Sequence, residues 1–117
     1  MRPFLLNDKE MRVQFQIADF VLKTQIQIAK DFHSVGISFG EAFEKKELNY
    51  QKLLYEVQSK LEQISSISDA KLVQLMYQID IPEEQFFHLI PSRDYSSELS
   101  DLIIRREAFK VFLRANC

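Results

Sequence analysis

The chain has 117 residues, 46% of them hydrophobic, with 15 Lys and Arg against 17 Asp and Glu and a formal net charge of −2. That length is one domain, read as 1–117, with a core of modest size, and that apolar content excludes a disordered tail. The near-balance of charge gives no bulk attraction to nucleic acid or to an anionic membrane, and two Gly and three Pro are too few for the turns of an all-β domain.

The expected class is therefore all-α, a bundle of about five helices. Residues 1–6 form a short arm, because Pro3 opposes a helix there. The first helix begins at Asn7, where Asn7 and Glu10 have the spacing of a capping box. It is expected to run as one rod to about Ser34 and to stop at Gly36 in the left-handed conformation. Within it Arg12, Gln16, Asp19, Lys23, Gln27 and Lys30 recur at helical spacing and make a thin wet stripe. Nearly everything else between Met11 and Phe32 is apolar, as in the centre of a bundle or the seam of an oligomer. A strand hairpin is the rival, from the alternation at Arg12–Ile17 and Gln25–Ile28. It fails because residues 19–24 contain no Gly, Pro or Asn to turn the chain.

Ser38 and Glu41 have capping-box spacing too, so a second long helix is expected from there to about Ile64. Phe43, Tyr50, Val57 and Ile64 are seven apart, and Leu54 and Leu61 occupy the other seam position. Two long helices of similar length on a short Val35–Gly36–Ile37 connector predict an antiparallel hairpin. Three shorter helices are expected to pack on it. Ser66 or Ser68 caps the third, which runs through about Tyr77. Ile81-Pro82-Glu83-Glu84 starts the fourth, with Pro at the first helical position and acids in the first turn. Residues 92–97 are a loop, and Ser97 opens the fifth helix, running to about Ala115 with Leu99, Leu102, Ile103, Phe109, Phe112 and Leu113 inward.

No arrangement for catalysis stands out. Two Gly cannot build a phosphate-cradling loop, no Gly-x-Ser-x-Gly occurs, and the serines fall at caps and turns. Cys117, the one cysteine, has no partner in the chain, which suits a reducing cytoplasm. No apolar run reaches the ~20 residues of a membrane span, and the first residues lack the apolar stretch of a signal peptide, so a cytoplasmic location is expected. No cofactor and no metal centre are expected either. Glu84 and His88, with His33 elsewhere, are the only loose ligand set, and the doubled Glu-x-x-His of a di-iron bundle is absent.

Function is then expected in contacts with other molecules. Excess dry surface on the first two helices predicts a homodimer through Val13, Ile17, Phe20, Leu54, Val57 and Leu61. Phe86 and Phe87, ringed by acidic groups, are a candidate anchor for another protein. Arg106, Lys110 and Arg114 share one face of the last helix and are a candidate contact for an acidic partner or for nucleic acid. The same face also fits ion pairs with Asp80, Glu83, Glu84 and Asp94, or plain hydration near the negative end of its own helix. The leading expectation is a non-enzymatic interaction or regulatory bundle. A nucleic-acid-associated protein and a ligand- or metal-binding bundle are the alternatives.

Overall fold

The computed structural model describes residues 5–65, 69–86 and 95–115. They form α1 (Asp8–Gln14), α2 (Ala18–His33), a 3-10 turn (Glu41–Glu44), α3 (Tyr50–Ser65), α4 (Asp69–Ile79), α5 (Glu83–Phe86) and α6 (Tyr95–Ala115). Among the described residues there is no strand: residues 25–28 lie within α2, and residues 12–17 run from the end of α1 into the turn before α2. No described helix is long and apolar enough to cross a membrane.

The capping box at Asn7 forms as its spacing requires. Asn7 Oδ1 accepts from the Glu10 amide at 2.8 Å and Glu10 Oε1 accepts from the Asn7 amide at 2.9 Å. The single rod does not form. Helix α1 stops at Gln14, and the Gln16 and Ile17 amides turn back to the Val13 and Gln14 carbonyls. Ile17 then takes extended backbone (φ −103, ψ 106) and α2 starts after it. The fold measures 37 × 34 × 23 Å, whereas an unbroken helix of the expected length would be ~40 Å long. Such a rod would exceed even the longest dimension of the body. The break instead swings Phe15 edge-on to Phe20 and Tyr50, with centroids 6.4 and 5.8 Å away. Neither Gly nor Pro marks it, so the pattern of spacing ran straight through.

Gly36 ends α2 as expected, with φ +86. The Ile37 amide reaches the Phe32 carbonyl at 3.0 Å and closes a Schellman-type cap. The expected helix from Ser38 is replaced by an ordered connector and the 3-10 turn, and α3 begins at Tyr50 with Asn49 Oδ1 accepting from the Lys52 amide at 2.9 Å. The reason is tertiary. Gln25, fully buried on α2, donates from Nε2 to the Phe43 and Lys46 carbonyls at 2.7 and 3.0 Å. Its Oε1 accepts from the Leu48 amide at 2.7 Å. Three bonds from one side chain hold residues 43–48 out of α-helix, which a local capping signal does not override.

This long connector also removes the predicted hairpin. The broadest helix contacts are α6 with α3 and α6 with α2, and α2 and α3 share none of comparable size. Helix α6 is the hub. It buries Leu99, Ser100, Ile103, Ile104, Glu107, Ala108 and Val111, which on a wheel cover an arc of roughly 180°. The expected inward set was displaced around the wheel: Leu99 and Ile103 are buried, Leu102, Phe109 and Phe112 are half-buried, and Leu113 is exposed. Helix α4 ends with Asp80 at φ +71, whose amide bonds the Met76 carbonyl at 3.0 Å, and Pro82 leads into α5 as its sequence suggested.

The residues expected at a dimer seam are largely spent inside the chain. Val57 and Leu61 are fully buried and Phe20 nearly so, all three in the single core, with Leu54 packed against it. Val57 and Leu61 therefore have no exposed surface, and Leu54 keeps part of its own. Only Val13 and Ile17 of that set stand exposed.

Candidate partner-binding groove

A groove of about 590 Å³ runs along α2 from the α1–α2 break to Lys30, walled on the other side by the C-terminal end of α6. Ile17 and Ile26, 48% and 41% exposed, form its apolar part, with Phe20 and Val111 below. Lys23, Lys30 and Arg114 line it as well, against a single acid, Asp19. Asp19 is already bonded to Lys23 at 3.0 Å. Among the described residues Lys30 and Arg114 make no ion pair and no side-chain hydrogen bond. In a chain whose net charge is −2, this is a local concentration of uncompensated positive charge beside exposed apolar surface.

Gln27 closes the floor and leads to a buried cluster. Its Nε2 donates to Asp31 Oδ2 at 3.2 Å. Lys110 Nζ donates to the same oxygen at 3.0 Å and lies 2.8 Å from Glu107 Oε1. Glu107 is 0% exposed, and no hydrogen-bond donor is aligned on either of its oxygens. Burial, then the bond to Asp31 and the Asp31 charge, push the Glu107 carboxyl up to about 9. At neutral pH it therefore keeps its proton and shares it with Asp31, which supplies the bond that two bare carboxylates would lack. Burial works to raise the Asp31 carboxyl too, but the bonds from Glu107, Lys110 and Gln27 and the Lys110 charge outweigh it and hold Asp31 below the usual carboxylate range. The cluster thus holds one anion, one cation and one neutral acid, with no net charge to desolvate.

The three predicted basic residues do three different things. Arg106 Nη2 pairs with Asp80 at 2.9 Å and its Nε donates to the Ile79 carbonyl at 3.3 Å, so it caps the C-terminus of α4. This is the ion pair with the acidic segment that the sequence offered as one reading. Lys110 is committed to the buried acids, and Arg114 alone turns to the groove. Phe86 is fully buried in the core, so it is no exposed anchor; Phe87 lies outside the described residues. His33 and Glu84 are exposed on separate elements, and His88 lies outside the described residues. Among the described residues no three His, Cys, Asp or Glu side chains gather where they would hold a metal ion.

A second polar cluster was also missed from the sequence. Arg105 donates from Nε to Asp101 Oδ2 at 2.8 Å, meets Asp8 Oδ1 at 2.6 Å and reaches the Leu6 carbonyl at 3.2 Å. Tyr50 hydrogen-bonds Asp101, and burial together with that carboxylate pushes its hydroxyl above its ordinary value. This cluster latches α1 and the residues before it onto α6.

Glu107 had a legible signal. It falls between Ile103, Ile104 and Val111 at helical spacing, on the apolar side of its helix. Asp31, one turn after Gln27, had none that distinguished it from a solvated acid.

No protein-family model, curated protein or solved structure matches the chain.

Proposed function

We propose that the protein is a non-enzymatic interaction protein whose α2–α6 groove receives an amphipathic helix with an acidic face from another protein. One observation carries this reading: exposed Ile17 and Ile26 lie beside Lys23, Lys30 and Arg114 with only Asp19 to balance them. A helix laid in a groove is anchored by apolar side chains at one-turn spacing, and its flanking charges select partner and orientation. Acids on that helix complement this rim; bases are repelled. The single cysteine suits the reducing cytoplasm as the place of action.

A second copy of the chain is the rival occupant, and charge argues against it. A twofold contact sets each surface against itself, so it would bring Lys23, Lys30 and Arg114 against their equivalents with two Asp19 in compensation.

Peptide binding tests the reading. A helical peptide of about four turns with Leu anchors and flanking Glu is titrated into the labelled protein, in parallel with a Lys-flanked twin. The Glu peptide is expected to shift amides of α2 and α6 around Ile26 and Arg114, with affinity falling as salt rises. Ile26→Asp or Arg114→Glu is expected to weaken it at least about tenfold. Equal binding of both peptides, or shifts away from the groove, defeats the proposal. So does a dimer in light scattering that Ile26→Asp converts to a monomer, because the groove then belongs to a second copy.

A further inference from the structure

The connector that Gln25 pins forms one wall of a second cleft, closed on the other side by α3. Phe39, Phe43 and Leu48 stand on the connector side, and Tyr55, Lys52 and Glu56 on α3. Its volume is about 430 Å³, within the range of small-molecule sites of roughly 300–1,000 Å³.

The wall is fixed before anything binds. The three bonds of Gln25 hold the backbone within the 3-10 turn at Phe43 and after it at Lys46 and Leu48. Phe39 and Phe43 stack at 4.2 Å with an interplanar angle of 17°, and Phe32 buttresses Phe39 edge-on at 5.0 Å. A preformed apolar wall spares a ligand the ordering cost of making one. Tyr55, 68% exposed, faces it with no ring partner among the described residues.

The polar groups of the cleft define the ligand. Lys52 and Glu56 lie one helical turn apart on the same wall. Among the described residues neither side chain makes an ion pair or a hydrogen bond, to each other or elsewhere. The cleft therefore offers one cation and one anion side by side at the edge of an aromatic surface. We propose that it binds a free α-amino acid with an aromatic side chain. The ammonium meets Glu56, the carboxylate meets Lys52, and the ring lies against Phe43, Leu48 and Tyr55. A free amino acid carries both charges on one carbon, whereas the end of a peptide carries only one of them.

The chain has no Trp and four Tyr, so tyrosine emission follows L-phenylalanine without interference, and amide shifts locate it. Saturable binding at ~1 mM is expected of a ligand of this size, with shifts at Leu48, Lys52, Tyr55 and Glu56. Phenylacetate and phenethylamine, each lacking one of the charges, are expected to bind at least about tenfold more weakly. Glu56→Gln is expected to weaken phenylalanine while leaving phenylacetate unchanged, and Lys52→Gln to do the same with phenethylamine as the indifferent ligand. Neither substitution touches the core, so both variants fold. Absence of saturation at about 10 mM, equal binding of the three ligands, or shifts that map to the α2–α6 groove overturns the assignment.

Discussion

Arg105 and Lys110 sit little more than one turn apart on α6, each with two carboxyl groups, and they meet water on opposite terms. Arg105 is paired with Asp8, whose side chain is 77% exposed, and with half-exposed Asp101. Two anions there face one cation, and the surplus negative charge is hydrated at the surface. Lys110 is paired with Asp31 and Glu107, both nearly or wholly buried. No hydration is available for a surplus, and one carboxyl keeps its proton. The comparison separates a latch, which solvent keeps weak, from an internal charge balance that the fold cannot lose without rearranging.

The largest effect is expected from unbalancing the buried side. Lys110→Met keeps much of the apolar stem and leaves Asp31 as a lone anion between α2 and α6. Breaking a buried pair from one side costs ~3–5 kcal/mol, and urea denaturation at neutral pH should register a loss of that size. The loss should shrink in acid, where Asp31 can take up a proton. A loss under ~1 kcal/mol would place Lys110 in the same class as Arg105 and erase the contrast.

Next comes Gln25→Ala, which strips two carbonyls and one amide of the connector of their partner. At ~1 kcal/mol per lost bond the expected cost is about 2–3 kcal/mol, with faster hydrogen exchange confined to residues 43–48. Uniformly faster exchange would mean that Gln25 supports the core and not the connector. The amino-acid cleft should be lost with it, while the α2–α6 groove, built from other elements, should still accept its peptide.

The pH profile sharpens the buried side further. Glu107 has its folded-state carboxyl at about 9 against 4.5 unperturbed. The folded state thus holds a proton that the unfolded chain releases, and stability is greatest below 4.5 and declines as pH rises toward about 9. Asp31 acts in the opposite sense. Its carboxyl is lowered from 3.8, so its contribution is present above that value and fades as pH falls through the folded-state titration. Glu107→Gln keeps a neutral side chain able to donate to Asp31. It should flatten the decline on the alkaline side and leave the acid limb in place. Parallel profiles for the two proteins between about pH 6 and 10 would mean that Glu107 is ionised in the fold.

The two flanks of α6 also mark what could be read in advance. Local signals held wherever a backbone group is satisfied by its near neighbours: the Asn7–Glu10 box, the Gly36 terminator, the Pro82 restart. They failed where a distant side chain took over. Gln25 cancels the Ser38 start signal from a different helix, and Phe15 trades helical continuity for two aromatic contacts that no spacing rule encodes. The hub role of α6 was hidden for a related reason. Its buried arc includes Ser100 and Glu107, so it reads as mediocre amphipathicity, yet a helix packed on both sides needs no single apolar face. Of the three basic residues on that face, Arg114 stays exposed, while Asp80 and the end of α4 hold Arg106, as one reading of the sequence allowed, and Asp31 and Glu107 hold Lys110.

The smallest effect belongs to the latch. Arg105→Ala removes bonds to Asp101, Asp8 and the Leu6 carbonyl, but its carboxylate partners return to water at little cost. A loss of ~1 kcal/mol is expected, roughly halved at about 1 M salt, where screening shortens the reach of exposed charge to ~3 Å. Helix α1 should then fray while the rest of the fold keeps its exchange protection, because the substitution removes the side-chain ties to α6 and leaves the backbone bond from the Leu6 amide to the Arg105 carbonyl, at 3.3 Å. Adding Asp8→Asn to Arg105→Ala should cost little more, a few tenths of a kcal/mol for an acid in the first turn of α1, since among the described residues Asp8 makes its ion pair with that guanidinium. If the double variant instead lost as much as Lys110→Met, the latch would be carrying core stability and the exposure of its partners would not be what sets the strength of a charge cluster in this fold.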